Sequence, residues 1–283
     1  MLDHLQEGRE ELPDHQRMRP ITTYGSRMYF NRDGKYVHTE MSDQVARTGW
    51  SWGAVSADFD NDLDVDVAVN NGQLSRETVR DYETQFWRHD IYVADKNPNP
   101  VLDVYFNMVQ TKLFGLGWSY GGNEFNKFYL NEGGRSFLSA EYQVGLNLKE
   151  DLRGVVATDF DNDGQVDIVY EGFVPWPDMQ SAYYLHMNRW KNAGNWVGFR
   201  LREEGDGFSP IGMRVDLTLD DGRVLKRVLV TGDTYRGQTA PVAHFGLGAE
   251  TSVKQVDFFW VNGTRKTVES PEINRYHDIR GRN

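Results

Sequence analysis

A chain of 283 residues carrying a formal net charge of −11 and no cysteine excludes several classes of protein at once. Nucleic-acid binding is disfavoured because no basic stripe is present to neutralise phosphates. The missing thiols remove disulfides, thiolate zinc and cysteine nucleophiles together, while leaving the redox compartment open. No apolar run reaches the roughly 18–20 residues of a membrane span, and 39% hydrophobic content with 8 Trp, 14 Tyr and 15 Phe suits an aromatic-rich β core.

Residues 1–21 are polar and read as a lead-in without signal-peptide anatomy, so the sequence as written is cytoplasmic unless an export signal is missing. From Thr22 the pattern turns β. Tyr24–Phe30 and Lys35–Thr39 flank an Asp33-Gly34 step, a hairpin signal. Gly49-Trp50-Ser51-Trp52-Gly53 then leads into Asp58-Phe59-Asp60-Asn61-Asp62-Leu63-Asp64-Val65-Asp66 and the apolar run Val67-Ala68-Val69. Ser75–Tyr92 is expected to be helical and Lys96–Pro100 a loop, within an insert at about 75–120.

The first grammar returns further on. Lys127–Leu138 parallels Met28–Tyr36, and Gly154–Thr158 leads into Asp159-Phe160-Asp161-Asn162-Asp163-Gly164-Gln165-Val166-Asp167 before Ile168-Val169-Tyr170. Asp58 and Asp159 lie about 100 positions apart, roughly twice what one propeller blade needs, which is why an insert is expected. A composition shift near Asn188–Asn195 marks a boundary. Strands are then expected at Trp196–Leu201, Arg214–Leu219, Arg223–Val230, Ala243–Phe245, Gln255–Trp260 and Arg265–Glu269, with turns at Asp220–Gly222 and Asn262-Gly263. The polar stretch 271–283 is expected to fray.

The two acidic loops and their flanking strands resemble the FG-GAP/VCBS repeats of integrin-α-like β-propellers. Asn195–Leu201, Ile211–Val215 and His244–Gly248 resemble the ASPIC/UnbV domain, and the order of the two parts matches the cartilage acidic protein/UnbV-like family. The resemblance covers about residues 22–270. It implies an all-β chain: a partial or open propeller-type repeat region over 22–192, then a small β-sandwich or barrel-like domain over 193–270. Only two acidic loops are visible, and a ring usually takes at least four blades, so exposed edges are expected, covered by the insert, a second copy or a partner chain.

Clustered carboxylates repel each other unless a hard cation with six to eight oxygen ligands sits among them, which is how Ca²⁺ is held. In the second loop the expected ligands are Asp159, Asp161, Asp163 and Asp167 with the Gln165 carbonyl. In the first they are Asp58, Asp60, Asp62 and Asp66 with the Asp64 carbonyl. An EF-hand is excluded because Val69 and Tyr170 stand where its bidentate Glu belongs. Position six needs φ > 0, so Leu63 in place of a glycine predicts a strained and weaker first site. The competing reading of both loops is acidic turns held by local hydrogen bonds alone.

Trp50 and Trp52, echoed by Gly117-Trp118-Ser119-Tyr120-Gly121, are expected to pack as core aromatics, with stacking on a glycan as the alternative. His244 is expected to be a packed strand residue. His4, His15, His38, His89, His186 and His277 have no metal spacing, and Asn262-Gly263-Thr264, although a glycosylation sequon, is explained by its turn. The function expected is an extracytoplasmic calcium-binding scaffold that meets a protein or glycan. The alternative is a tailoring or cyclising enzyme with a pocket between the insert and Trp50/Trp52.

Overall fold

The computed structural model describes residues 24–83, 85–86, 99–205 and 207–282. The chain opens with the hairpin β1 (Phe30–Arg32) and β2 (Lys35–Val37), turning at Asp33-Gly34 as expected, and with a short helix α1 (Glu40–Gln44). Ser42 Oγ accepts the Thr39 amide at 3.0 Å, which starts that helix. Tyr24–Tyr29, expected as strand, is not in regular structure.

Strands β3 (Ser51–Ala57) and β4 (Asp66–Asn71) form a hairpin whose turn is the first acidic loop. A parallel pair follows, β5 (Thr78–Asp81) and β6 (Trp118–Ser119), joined through the helix α2 (Pro100–Gly115). The expected helix over Ser75–Tyr92 is therefore corrected in part. Thr78–Asp81 is strand, Glu83, Gln85 and Phe86 are helical, and residues 87–92 lie outside the described residues, as does the lead-in 1–21. The helix sits later, where Asn99 Oδ1 accepts the Val101 amide at 3.0 Å and Pro100 takes the first helical position, an N-terminal signature inside the stretch expected as loop.

Next come β7 (Lys127–Asn131) and β8 (Phe137–Ser139), which complete a four-stranded antiparallel sheet in the order β3-β4-β7-β8. The strands β9 (Asp151–Thr158), β10 (Asp167–Val174) and β11 (Gln180–His186) make a three-stranded antiparallel sheet, and the second acidic loop is the β9–β10 turn. The two sheets bury one apolar layer between them: Val55, Ala68 and Phe128 from the first, Leu152, Val155, Ile168 and Tyr170 from the second. Both remain open, and no sheet among the described residues closes into a barrel.

The C-terminal part is a β-sandwich. One sheet runs β15 (Val242–Gly248), β12 (Asn195–Leu201), β18 (Tyr276–Ile279). The other runs β14 (Val224–Val228), β13 (Arg214–Thr218), β16 (Gln255–Phe259), β17 (Arg265–Glu269). Alternate residues from both sheets, among them Val197, Phe199, Phe245, Val215, Leu217 and Phe258, fill a single core. The expected strands match these closely. The expected fraying after Pro271 does not hold, because β18 pairs in parallel with β12 and seats Ile279 in the core. No described helix is long and apolar enough to cross a membrane.

Candidate metal centre at the joint of repeat region and sandwich

Each acidic loop is built by its own first and last aspartates. Asp58 is 2% exposed and accepts the Asp62 and Leu63 amides at 2.9 and 3.0 Å. Asp159 likewise accepts the Asn162, Asp163 and Gly164 amides. At the far end, Asp66 bridges the Phe59 and Asn131 amides, and Asp167 bridges those of Phe160 and Asn188. The ninth residue thus ties the loop to the strand beyond it.

What remains free differs between the loops. In the first, Asp58, Asp60 and Asp62 each bring a carboxylate oxygen to within 4.8 Å of the others, and Asp60 Oδ1 is buried without a hydrogen-bond partner. Asp64 lies beside this group, its amide held by Asp62 Oδ1 at 2.9 Å. In the second, the corresponding set is Asp159, Asp161 and Asp167. Asp163 is turned to the Gln165 amide and to Arg189, while Gln165 Oε1 is buried and unpartnered.

The electrostatics follow this difference. Burial, reinforced by Asp62, pushes Asp58 up to about 7 and Asp60 up to about 6, and burial pushes Asp66 up to about 7. Asp64 is raised by the same causes, and Asp167 by burial. Asp161 moves the other way, because its hydrogen bond to the Arg189 guanidinium favours the carboxylate. Arg189 spans Asp161 at 2.7 Å and Asp163 at 2.9 Å. Nothing in the spacing of the acidic motif pointed to it.

Position six adopts φ > 0 in both loops, +87° at Leu63 and +90° at Gly164, as expected. The structure shows why the residues differ. A Cβ on Gly164 would stand 1.9 Å from the Trp196 indole, so that turn must be bare. Leu63 instead projects its side chain onto the sandwich core.

Both loops are therefore also docking surfaces for the sandwich, a role absent from the expectations. Asp60 and Asn61 carbonyls accept the Gly194 and Gly248 amides at 3.0 and 2.7 Å, and Tyr276 donates to Asp159 at 2.8 Å. Gly246 lies so close to Asp58 that a Cβ there would come within 2.1 Å of its carboxylate. His244 stacks on Trp196 at 5.6 Å and bonds the Gly164 carbonyl at 3.1 Å. Burial lowers its pKa to about 4, so it is a neutral packed strand residue as expected. A crevice of about 120 Å³ runs through this joint, lined by Asp58, Asp159, Arg227, His244 and Tyr276 among others.

Trp52 stacks on Tyr235 at 5.3 Å and takes the Arg153 guanidinium 4.4 Å from a ring, and Trp50 meets Tyr120 edge-on at 4.9 Å. Both tryptophans are half-buried and packed against protein rings, closer to the packing expectation than to an open glycan platform.

Residues 205–283 match the family model described as ASPIC and UnbV. Ile211–Val215 and His244–Gly248 fall inside that match, and Asn195–Leu201 precedes it. The chain is also similar to cartilage acidic protein 1. It is 26% identical to the mouse protein over 247 residues, covering 80% of this chain and 36% of the relative. Against the Xenopus tropicalis protein it is 27% identical over 274 residues (87% and 40%), and against the human protein 26% over 276 residues (89% and 40%). The chain thus spans well under half the length of the curated relatives it matches.

Proposed function

We propose that the chain is a calcium-stiffened, propeller-type scaffold with an ASPIC/UnbV sandwich locked to it, binding a protein or glycan partner outside the cytoplasm. One observation carries this reading: the three converging carboxylates of Asp58, Asp60 and Asp62, one oxygen of which is buried with nothing to bond. A buried acceptor without a donor costs about 1–3 kcal/mol, more when charged, so the donor set fits a hard divalent cation better than a bare turn. Asp58, Asp60, Asp62 and Asp66 with the Asp64 carbonyl would hold the ion. The second loop offers Asp159, Asp161, Asp163, Asp167 and the Gln165 carbonyl. Bound calcium supplies positive charge that lets the acidic side chains stay ionised while the sandwich packs over them.

The two open antiparallel sheets support a blade-type repeat reading, and their edges are where a second copy or a partner chain would add. Extracellular modules bind calcium at roughly 0.1–1 mM, which supports a place outside the cytoplasm. Titration calorimetry on chelator-stripped protein tests the reading. Heat of binding in the sub-millimolar range is expected, and its absence at millimolar calcium would end the assignment.

A further inference from the structure

The internal repeat allows the two loops to be compared residue by residue. Asn131 and Asn188 occupy the same place, each donating its amide to the ninth aspartate of its loop, Asp66 at 2.8 Å and Asp167 at 2.7 Å. The next residue is Glu132 in one case and Arg189 in the other. Glu132 turns back into its own hairpin and accepts the Ser136 hydroxyl at 2.6 Å. Arg189 reaches across its loop, with Nη2 on Asp161 and Nη1 on Asp163, the third and fifth positions, while Nη1 also donates to the Asn188 carbonyl.

Resting on the calcium reading above, we propose that Arg189 is a built-in counter-cation of the second loop. Calcium then binds first and more tightly to the first loop, although that loop lacks the glycine. A planar guanidinium with two parallel donors suits two neighbouring carboxylates and satisfies the oxygens that an incoming ion would need. Calcium must displace it. Among the described residues no arginine or lysine forms an ion pair with Asp58, Asp60 or Asp62. Arg227 interacts electrostatically with Asp58 but forms no ion pair with it, donating Nε and Nη1 to the His244 and Lys226 carbonyls, and Arg135 acts on Asp64 only at a distance. Asp60 Oδ1 is buried without a partner, whereas Asp161 is exposed and its Oδ2 meets Arg189 Nη2.

The strain at Leu63 does not reverse this order, because it is already present in the ion-free fold at φ +87° and is common to both states. The ion pair, in contrast, exists only before calcium enters the second loop. Arg189 thus subtracts from metal affinity directly.

The test is calcium titration calorimetry on the chelator-stripped full chain and four variants. The expected wild-type isotherm shows a tight site removed by Asp60→Asn and a second, about two- to fivefold weaker, removed by Asp161→Asn. Arg189→Gln should strengthen only the weaker site, by about two- to fivefold, and Arg189→Lys should fall between. Arg189 is exposed, so these variants should fold. Two equal wild-type sites, a tight site lost with Asp161→Asn, or an isotherm indifferent to Arg189 would each overturn the inference while leaving calcium binding intact. No binding in any variant would remove the calcium reading and the inference together.

Discussion

Asn61 Nδ2 donates to the Gly164 carbonyl at 3.0 Å, so the fourth residue of one acidic loop holds the sixth residue of the other. The donor is 1% exposed, and the same carbonyl also meets His244 of the sandwich. Three parts of the molecule therefore share one oxygen. Asn61→Ala should cost about 1–3 kcal/mol in chemical denaturation, because a buried amide link between the loops is lost without water to replace it. An unchanged midpoint would show that the loops are not coupled through this bond.

Gly164→Ala should be worse than an ordinary loop substitution. The new methyl would meet the Trp196 ring at a distance no pair of atoms tolerates, at a φ that L residues rarely adopt. We expect at least about 2 kcal/mol of destabilisation and faster proteolysis between residues 186 and 195. Leu63→Ala, which keeps the backbone and removes only packing on the sandwich, should be milder, on the order of 1–2 kcal/mol. The reverse ranking in thermal melts would contradict the role given to each position.

Chelation should lower the unfolding temperature, and calcium at a hundred times its dissociation constant should restore about 2.7 kcal/mol. Asp60→Asn should abolish most of that response. A calcium-independent melting curve for wild type would mean that the buried carboxylates are accommodated without an ion.

The buried His244 gives a pH signature with a definite sign. Its pKa falls from 6.5 to about 4 on folding because the imidazolium is denied water, so the unfolded chain binds the extra proton. The stabilisation is complete above pH 6.5 and is lost as pH falls towards 4, up to about 3 kcal/mol. Arg227, Asp159 and Tyr276 face the same ring and are common to wild type and variant. Asp58 and Asp66, whose pKa values are raised, work oppositely in the ion-free chain: their contribution is present below about pH 4 and fades as pH rises towards 7. The clean measurement is therefore a difference. His244→Gln should flatten the acid limb of the stability curve relative to wild type, and parallel curves would refute the assignment.

Ending the chain after Pro271 should unfold the sandwich rather than trim a loose end. It removes β18, the Ile279 plug and the Tyr276 bond to Asp159. Loss of the cooperative transition by circular dichroism is the expected result. A truncated chain that melts like the parent would mean that β18 is dispensable.

The strands of the sandwich were readable because alternating apolar residues and Asp-Gly or Asn-Gly turns act locally, and the six expected there fall close to the observed ones. The acidic loops were readable because their aspartates are clustered in sequence and the first of each bonds amides inside its own motif, whereas the bonds of Asp66 to Asn131 and of Asp167 to Asn188 lie outside any local pattern. Strand β18 was missed because Tyr276-His277-Asp278-Ile279 has little apolar character of its own and is held by a parallel partner nearly 80 residues earlier. Helix α2 is not legible locally because Asn99-Pro100 serves equally as loop punctuation and as a helix start. Arg189 and the docking role of the loops depend on residues far apart in the chain, and a spacing argument does not reach them.

Strands β4 and β7 are neighbours in one sheet although the chain leaves at Gly72 and returns only at Asn126. Two hairpins, β3–β4 and β7–β8, can each zip early, but their union waits for a wide excursion to close. Closure entropy grows only logarithmically, by about 0.6 kcal/mol per doubling of length, so the detour slows assembly more than it weakens the finished sheet. Replacing it with a short connector should speed folding while leaving both turns that carry the aspartates in register.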